Sequence, residues 1–331
     1  MRSALCVLVP VCLAMVLLPP MATSARADLF VSNSPPGPAD SVKRYSDSGT
    51  YLGDFAMNPD LAVNPNFRGV AFGPDRNLYV VHFNSDKVLR FNGVTGAYID
   101  TFVSSGSGGL DRPMGMVFGP DGNMYVVSEY GGNPDDVKGA VLRYDGATGA
   151  FMDLFADHYP KYGVPKGLTF GPDGNLYVTE NRGVLRYDGS TGAFLDIFVA
   201  STPSLFVFRG LTFGPDGDLY LADHAHDQVL RYDGATGAPL GVFASGGGLD
   251  GPYDVVFGPD DNLYVSSYYG SYQVLRYDGT TGAFIDAFAS GNGLYNPTFM
   301  TFFTPVPVPG AVLLGAIGLA YSGWLCRRKT R

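Results

Sequence analysis

The chain has 331 residues, with 22 Lys plus Arg against 31 Asp plus Glu and a formal net charge of −9. That balance excludes a nucleic-acid partner, because a phosphate backbone demands a basic face. Three cysteines in a chain of this size do not make a disulfide framework, and the length is enough to bury a core without one.

Met1-Arg2-Ser3 is a short basic start, and Ala4 to Leu18 is almost wholly apolar. Ala25-Arg26-Ala27 offers the small-x-small pattern of a signal-peptidase site, so residues 1–27 read as a secretory signal with Asp28 as the mature N-terminus. Three short strand-like fragments follow: Asp28–Ser32, Ser41–Tyr45 and Tyr51–Phe55. Then a motif, Phe-Gly-Pro-Asp-x-x-Leu-Tyr-Val, recurs with small variations from Phe72, Phe118, Phe170, Phe213 and Phe257. Intervals of 46, 52, 43 and 44 residues mark stacked supersecondary units.

One unit reads clearly from Arg209 to Ser245. Gly210–Phe213 is a short strand ending in the turn Gly214-Pro215-Asp216-Gly217, and Asp218–Ala222 is a nearly continuous apolar strand. Gln228–Tyr232 and Pro239–Ala244 supply two more strands around the turn Asp233-Gly234-Ala235-Thr236-Gly237. Four antiparallel strands per repeat is a propeller blade. After the fifth copy, Asn296–Phe302 aligns with Gly251–Phe257 and supplies the first strand that the N-terminal fragments lack. The fold expected for residues 28–304 is therefore all-β, a six-bladed β-propeller whose sixth blade is closed by both termini.

Gly310 to Cys326 is 17 residues without a charge, followed by Arg327-Arg328-Lys329-Thr330-Arg331. At ~1.5 Å per residue it spans about 25 Å, a short transmembrane helix with a basic cytoplasmic flank. The expected arrangement is a protein exported across the cytoplasmic membrane, held at the cell surface or anchored, with its C-terminus cytoplasmic before any processing. Six of the basic residues and none of the acidic ones lie in the two end segments, which leaves 16 basic against 31 acidic residues outside, a balance of −15. Cys6 and Cys12 leave with the signal and Cys326 sits in the tail, so no disulfide is expected in the exported part.

The Gly-x-x-Phe-Gly-Pro-Asp-Gly-Asn-Leu-Tyr-Val unit, followed by Val-Leu-Arg-Tyr-Asp, resembles the repeats of NHL-type and SMP-30-like (streptogramin-lyase-like, gluconolactonase-like) propellers over roughly residues 28–303. That resemblance implies the fold and leaves lactonase, lyase and pure binding activities open. Val306-Pro307-Val308-Pro309-Gly310, with the apolar run and Arg cluster behind it, resembles a PEP-CTERM sorting segment over residues 305–331. Such a segment implies processing by an exosortase-like enzyme and an association with exopolysaccharide. The central Glu of that family's motif is Val308 here.

The repeated aspartates Asp75, Asp121, Asp173, Asp216 and Asp260 read as turn residues that cap their own backbone. The repeated arginines Arg44, Arg90, Arg143, Arg186, Arg231 and Arg276 end third strands nearby, and are expected to pair with those aspartates as part of the frame. Both sets lie on one face of the disc. The copies diverge on the other, where the second-to-third and fourth-to-first connections lie.

His82, His158, His224 and His226 all map to that variable face, as do the chain's two glutamates, Glu129 and Glu180. Asp223 stands at the position equivalent to Glu180. The residues four before each repeat Phe, expected to rim the central channel, are Arg68, Met114, Lys166, Arg209, Tyr253 and Thr298. Asp254 and Phe299 follow where the other four blades have Gly. Convergent polar groups over a concave opening are a ligand-site pattern, so Arg68, Lys166, Arg209, Tyr253, Asp254, Glu129 and Tyr268 are ligand-binding candidates, with Phe83 and Tyr130 as further aromatics. Glu180 and Asp223, with His82 or His224, are candidates for holding a divalent cation (Ca²⁺ or Mg²⁺) or for acid–base work. Against that stands neutralisation of Glu180, Asp223 and Asp254 by the three cations. The loop Gly131–Asp136 reads as a solvated insertion. No nucleophile elbow, zinc-binding helix motif, Walker loop or cysteine cluster is present. The two functional readings are a surface-associated propeller that binds a glycan, small molecule or protein partner, and a divalent-cation-dependent lactonase- or lyase-type enzyme.

Overall fold

The computed structural model describes residues 27–36, 39–59, 66–130, 139–157, 163–180, 183–200 and 207–304. The signal segment up to Arg26, the tail 305–331, His158 and the loop 131–136 lie outside the described residues.

Twenty-four strands form six four-stranded antiparallel sheets among the described residues. From inner to outer strand, the first complete blade is Phe67–Phe72, Leu78–His82, Lys87–Phe91 and Tyr98–Val103. The sixth combines Pro297–Phe303 with Asp28–Asn33, Ser41–Tyr45 and Tyr51–Met57. Its closure is antiparallel, with Leu29 opposite Phe302 and Val31 opposite Met300, as the alignment of the two ends requires.

Second strands are buried along their length because each is covered on both faces by the neighbouring blades: Leu78–His82, Leu176–Glu180, Leu219–Asp223 and Leu263–Ser267 expose no residue. The two aromatic positions of the repeat hold adjacent blades together. The Tyr125 ring meets Phe155 of its own blade edge-on at 4.8 Å and Phe170 of the next at 5.1 Å. Tyr79, Tyr177, Tyr220 and Tyr264 repeat this arrangement, and Phe30 takes the place in the sixth blade. Each edge-on pair adds about 0.5–1.5 kcal/mol beyond its buried area. The motif's glycine is set by this packing: a Cβ on Gly119 would lie 2.5 Å from the Tyr125 ring.

The turn aspartates do what a turn residue does. Asp75 accepts from the Asn77 amide at 3.0 Å, and its other oxygen accepts from the Tyr79 hydroxyl at 3.0 Å. Asp145 likewise accepts from the Thr148 amide and hydroxyl at 2.8 and 2.7 Å.

The arginines differ from expectation in their main partner. Arg90, Arg143, Arg186 and Arg276 pair across the ladder with outer-strand aspartates Asp100, Asp153, Asp196 and Asp286. The turn aspartates Asp173 and Asp260 stand further off, at 3.9 and 3.7 Å. The reason is register: the outer-strand residue lies directly opposite the arginine. Two blades carry glycine there, Gly53 opposite Arg44 and Gly241 opposite Arg231. In those two blades the residue before the second strand's first Leu or Met is Asp28 or Asp218 instead of the Asn77, Asn123, Asn175 or Asn262 of the others. Arg44 then bonds Asp28 at 2.6 Å, and Arg231 bonds both Asp218 and, as the sequence led one to expect, its turn aspartate Asp216, each at 2.7 Å, so each of the six repeated arginines keeps a carboxylate.

Candidate functional site

Five inner strands bring one residue each to the channel mouth on the variable face: Arg68, Met114, Lys166, Arg209 and Tyr253. The ends of second strands and the connections behind them add Phe83, Glu129, His224, Tyr268 and Tyr269. Together they line a cavity of 230 Å³. Below it a second cavity of 190 Å³ runs along the channel between residues such as Val70, Met116, Leu168, Asp254 and Phe299. Tyr253 and Phe299, edge-on at 5.4 Å, separate the two. A cavity of 350 Å³ between Phe194–Ala200 and Pro239–Ser245 is larger, but among the described residues Tyr232 is the one hydroxyl in its lining and no charged side chain lines it.

Tyr253 organises the mouth. Its ring is buried, with the Arg68 guanidinium 5.4 Å and the Arg209 guanidinium 5.3 Å from its centroid. Tyr268 stacks on it at 5.2 Å, and Arg68 also lies over Phe83 at 5.5 Å. Burial raises the Tyr253 hydroxyl above its ordinary range although two guanidinium charges oppose the shift. His224 meets Tyr253, Tyr268 and Tyr269 with its ring. Burial, helped by the charge of Arg209, holds its imidazole below the ordinary value. Its Nδ1 lies 3.2 Å from the Pro252 carbonyl, which can only accept, so Nδ1 carries the proton and Nε2 is the acceptor.

One of the three cations is neutralised at the site: Lys166 forms an ion pair with Glu129, both side chains largely buried. Burial lowers the Lys166 ammonium while Glu129 raises it, and Arg209 and Arg68 push it down further. Arg68 and Arg209 form no ion pair among the described residues, and Nε and Nη1 of Arg68 and Nε of Arg209 are shut from solvent with no hydrogen-bond partner.

The remaining candidates lie elsewhere. Asp254 faces the channel cavity, because strand alternation sends it to the side opposite Tyr253. Its carboxylate accepts from the Met300 amide at 2.9 Å, and burial pushes it up to about 7. Thr298 is turned away from the mouth, its hydroxyl donating to the Phe67 carbonyl at 3.2 Å. Glu180 and His82 are fully buried, and the His82 ring meets Phe67 edge-on. Asp223, also fully buried, accepts from His226 and Gln228 at 2.9 Å each. The carboxylates therefore find other partners than the sequence suggested, with Glu129 paired to Lys166 and Asp223 hydrogen-bonded by His226 and Gln228. Tyr130 lies under Arg112, outside the mouth. Tyr269 is a lining residue the sequence reading passed over. Its signal was the doubled tyrosine, Tyr268-Tyr269, at the start of a five-residue connection that also holds Tyr272.

The proposed cation set does not fit. Among the described residues no group of three or more His, Cys, Asp or Glu side chains is placed to hold a metal ion. His82, Glu180 and the adjacent Asp223 and His224 stand at the second-strand ends of three different blades, and of these four His224 lines the mouth.

No family model matches this chain, and no curated protein does. Solved structures do match. A nidogen/laminin complex structure aligns at a TM-score of 0.64 and 17% identity, covering 83% of this chain and 98% of that one. A protein of unknown function from Bacteroides caccae aligns at 0.62 and 11%, covering 85% and 100%. Virginiamycin B lyase from Staphylococcus aureus aligns at 0.55 and 15%, covering 87% of each chain. These likenesses show the six-bladed β-propeller fold, with lyase-like and binding-type proteins among its neighbours.

Proposed function

We propose that this chain is an exported, surface-associated propeller that binds a small molecule or glycan in the mouth of its central channel. The observation that supports this reading is the mouth itself. Ten side chains from across the ring line one cavity, with stacked aromatics around two guanidinium groups that form no ion pair among the described residues and keep buried donors without hydrogen-bond partners. Export and surface retention rest on the end segments, residues 1–27 and 305–331, with an exosortase-like enzyme, exopolysaccharide or another surface protein as partners and the membrane as the anchor point. The resemblance to NHL-type and SMP-30-like repeats belongs to the same reading.

The test is a thermal-shift screen of small metabolites and a glycan array, run with the protein and its Met114→Trp variant, whose larger side chain fills the cavity. Hits that disappear in Met114→Trp are expected; hits that persist unchanged place binding elsewhere. Mass spectrometry of the mature protein tests the tail, since an intact Arg331 terminus rejects processing. A lactonase- or lyase-type reading has a lyase among its fold neighbours. Titration with Ca²⁺ and Mg²⁺ and turnover of cyclic esters by the protein and by Glu180→Ala would decide it.

A further inference from the structure

We infer that the mouth cavity takes a small organic anion, with a carboxylate or phosphate oxyanion set against Arg68 and Arg209 and a flat, unsaturated body against the aromatic wall. This rests on the reading of the mouth as a binding site and assigns its ligand class.

Charge is the first ground. The lining holds Arg68, Lys166 and Arg209 against Glu129 alone, and Glu129 is committed to Lys166. Among the described residues neither guanidinium has an ion pair of its own, although the charges of Glu129 and Asp40 reach Arg68 and the Tyr268 hydroxyl bonds it, in a protein whose net charge is −9. The rest of the surface repels anions, so this concave cationic spot is where the field collects one.

Hydrogen bonding is the second ground. A buried guanidinium keeps its charge, and leaving its donors unmade is costly. Nε and Nη1 of Arg68 and Nε of Arg209 lack partners. An oxyanion beside the two groups supplies the opposite charge and the acceptors that the protein does not.

Shape is the third. Tyr253, Tyr268, Tyr269, Phe83 and His224 form the walls, and such surfaces stack planar groups. The 230 Å³ corresponds to roughly eight waters at about 30 Å³ each, the space of a benzoate-sized molecule.

The experiment compares matched probes by calorimetry on the purified full chain: benzoate, phenyl phosphate, inorganic phosphate, neutral benzamide and cationic benzamidine. The two aromatic anions are expected to bind, benzamide about tenfold or more weaker, and benzamidine not at all, with anion affinity falling as salt is raised. The tighter of benzoate and phenyl phosphate names the oxyanion, while inorganic phosphate binding as tightly as phenyl phosphate overturns the role of the flat body. Arg209→Met and Arg68→Met each lose about tenfold or more, and Arg209→Lys recovers part. If Arg68→Met does not fold, the Arg209 pair of variants carries the test. Benzamide binding as tightly as benzoate, or benzoate affinity unchanged in Arg209→Met, overturns the anion assignment while leaving a binding mouth in place. Silence of both aromatic anions also overturns it. If the Met114→Trp-sensitive screen is silent too, the binding reading falls with it.

Discussion

Asp254 provides a quantitative test of the channel's interior. It stands where four blades have glycine, it is buried, and burial pushes its carboxyl from 3.8 up to about 7 against the amides of Met300 and Val255. A proton is therefore held more tightly in the folded chain than in the unfolded one. The stability this contributes is complete below about pH 4 and is lost as pH rises through about 7. At 1.36 kcal/mol per unit the whole loss is about 4 kcal/mol, of which about 3 kcal/mol falls between pH 5 and pH 9. Asp254→Asn keeps an oxygen for the Met300 amide and removes the charge. The variant should gain on the parent protein by about 3 kcal/mol over that range, or about 6 °C in Tm at roughly 2 °C per kcal/mol. Thermal unfolding of both proteins at pH 5, 7 and 9 measures this directly. Asp40, which burial raises to about 6, acts in the same direction, and His224, held low by burial, acts in the opposite one. Both are common to the two proteins and cancel in the difference. A gap between the proteins that stays constant from pH 5 to pH 9 would refute the reasoning.

Three further outcomes are expected. Tyr125→Ala empties the junction between Phe155 and Phe170 and should cost about 3–5 kcal/mol in urea unfolding, whereas Tyr125→Phe keeps the ring, loses the hydroxyl's bonds to Asp121 and Arg143, and should cost about 1 kcal/mol. Asp218→Asn removes one of the two carboxylates that hold Arg231 at 2.7 Å in a partly exposed cluster. It should cost about 0.5–1 kcal/mol and weaken the salt dependence of stability, and an unchanged salt profile would count against the pairing. Glu129→Gln strands the Lys166 ammonium and should cost about 2–3 kcal/mol, most of it recovered by adding Lys166→Met; a double variant no more stable than the single one would show that the pair is not coupled.

The frame was legible because it is local and repeated. Five blades carry their own turn aspartate, their own Tyr and Phe and their own strand pattern, and the sixth repeats the pattern with Phe30 in the tyrosine's place, so several weak signals add to one strong one. Even the exchange of arginine partners is written in the chain: Asn with Asp in four blades, Asp with Gly in two. It escapes notice until the ladder sets Arg231 opposite Gly241. The mouth was half legible. Counting four residues back from each repeat Phe picked out Arg68, Met114, Lys166, Arg209 and Tyr253, because the repeat fixes the same offset from the Phe to the mouth in each blade. The same count misplaced Thr298, whose short side chain reaches a neighbouring carbonyl instead of the opening.

By itself the sequence determined the architecture: the blade, the number of blades, and the closure between Asp28 and Phe303. Those follow from hydrophobic alternation and turn chemistry, which act over a few residues at a time. Only the tertiary structure decided the charges. Lys166 and Glu129 lie 37 residues apart, and Arg68 shares the Tyr253 ring with Arg209 across the channel. Pairing of this kind depends on ångström distances between different blades. Closure of the ring fixes those distances, and no single repeat encodes them.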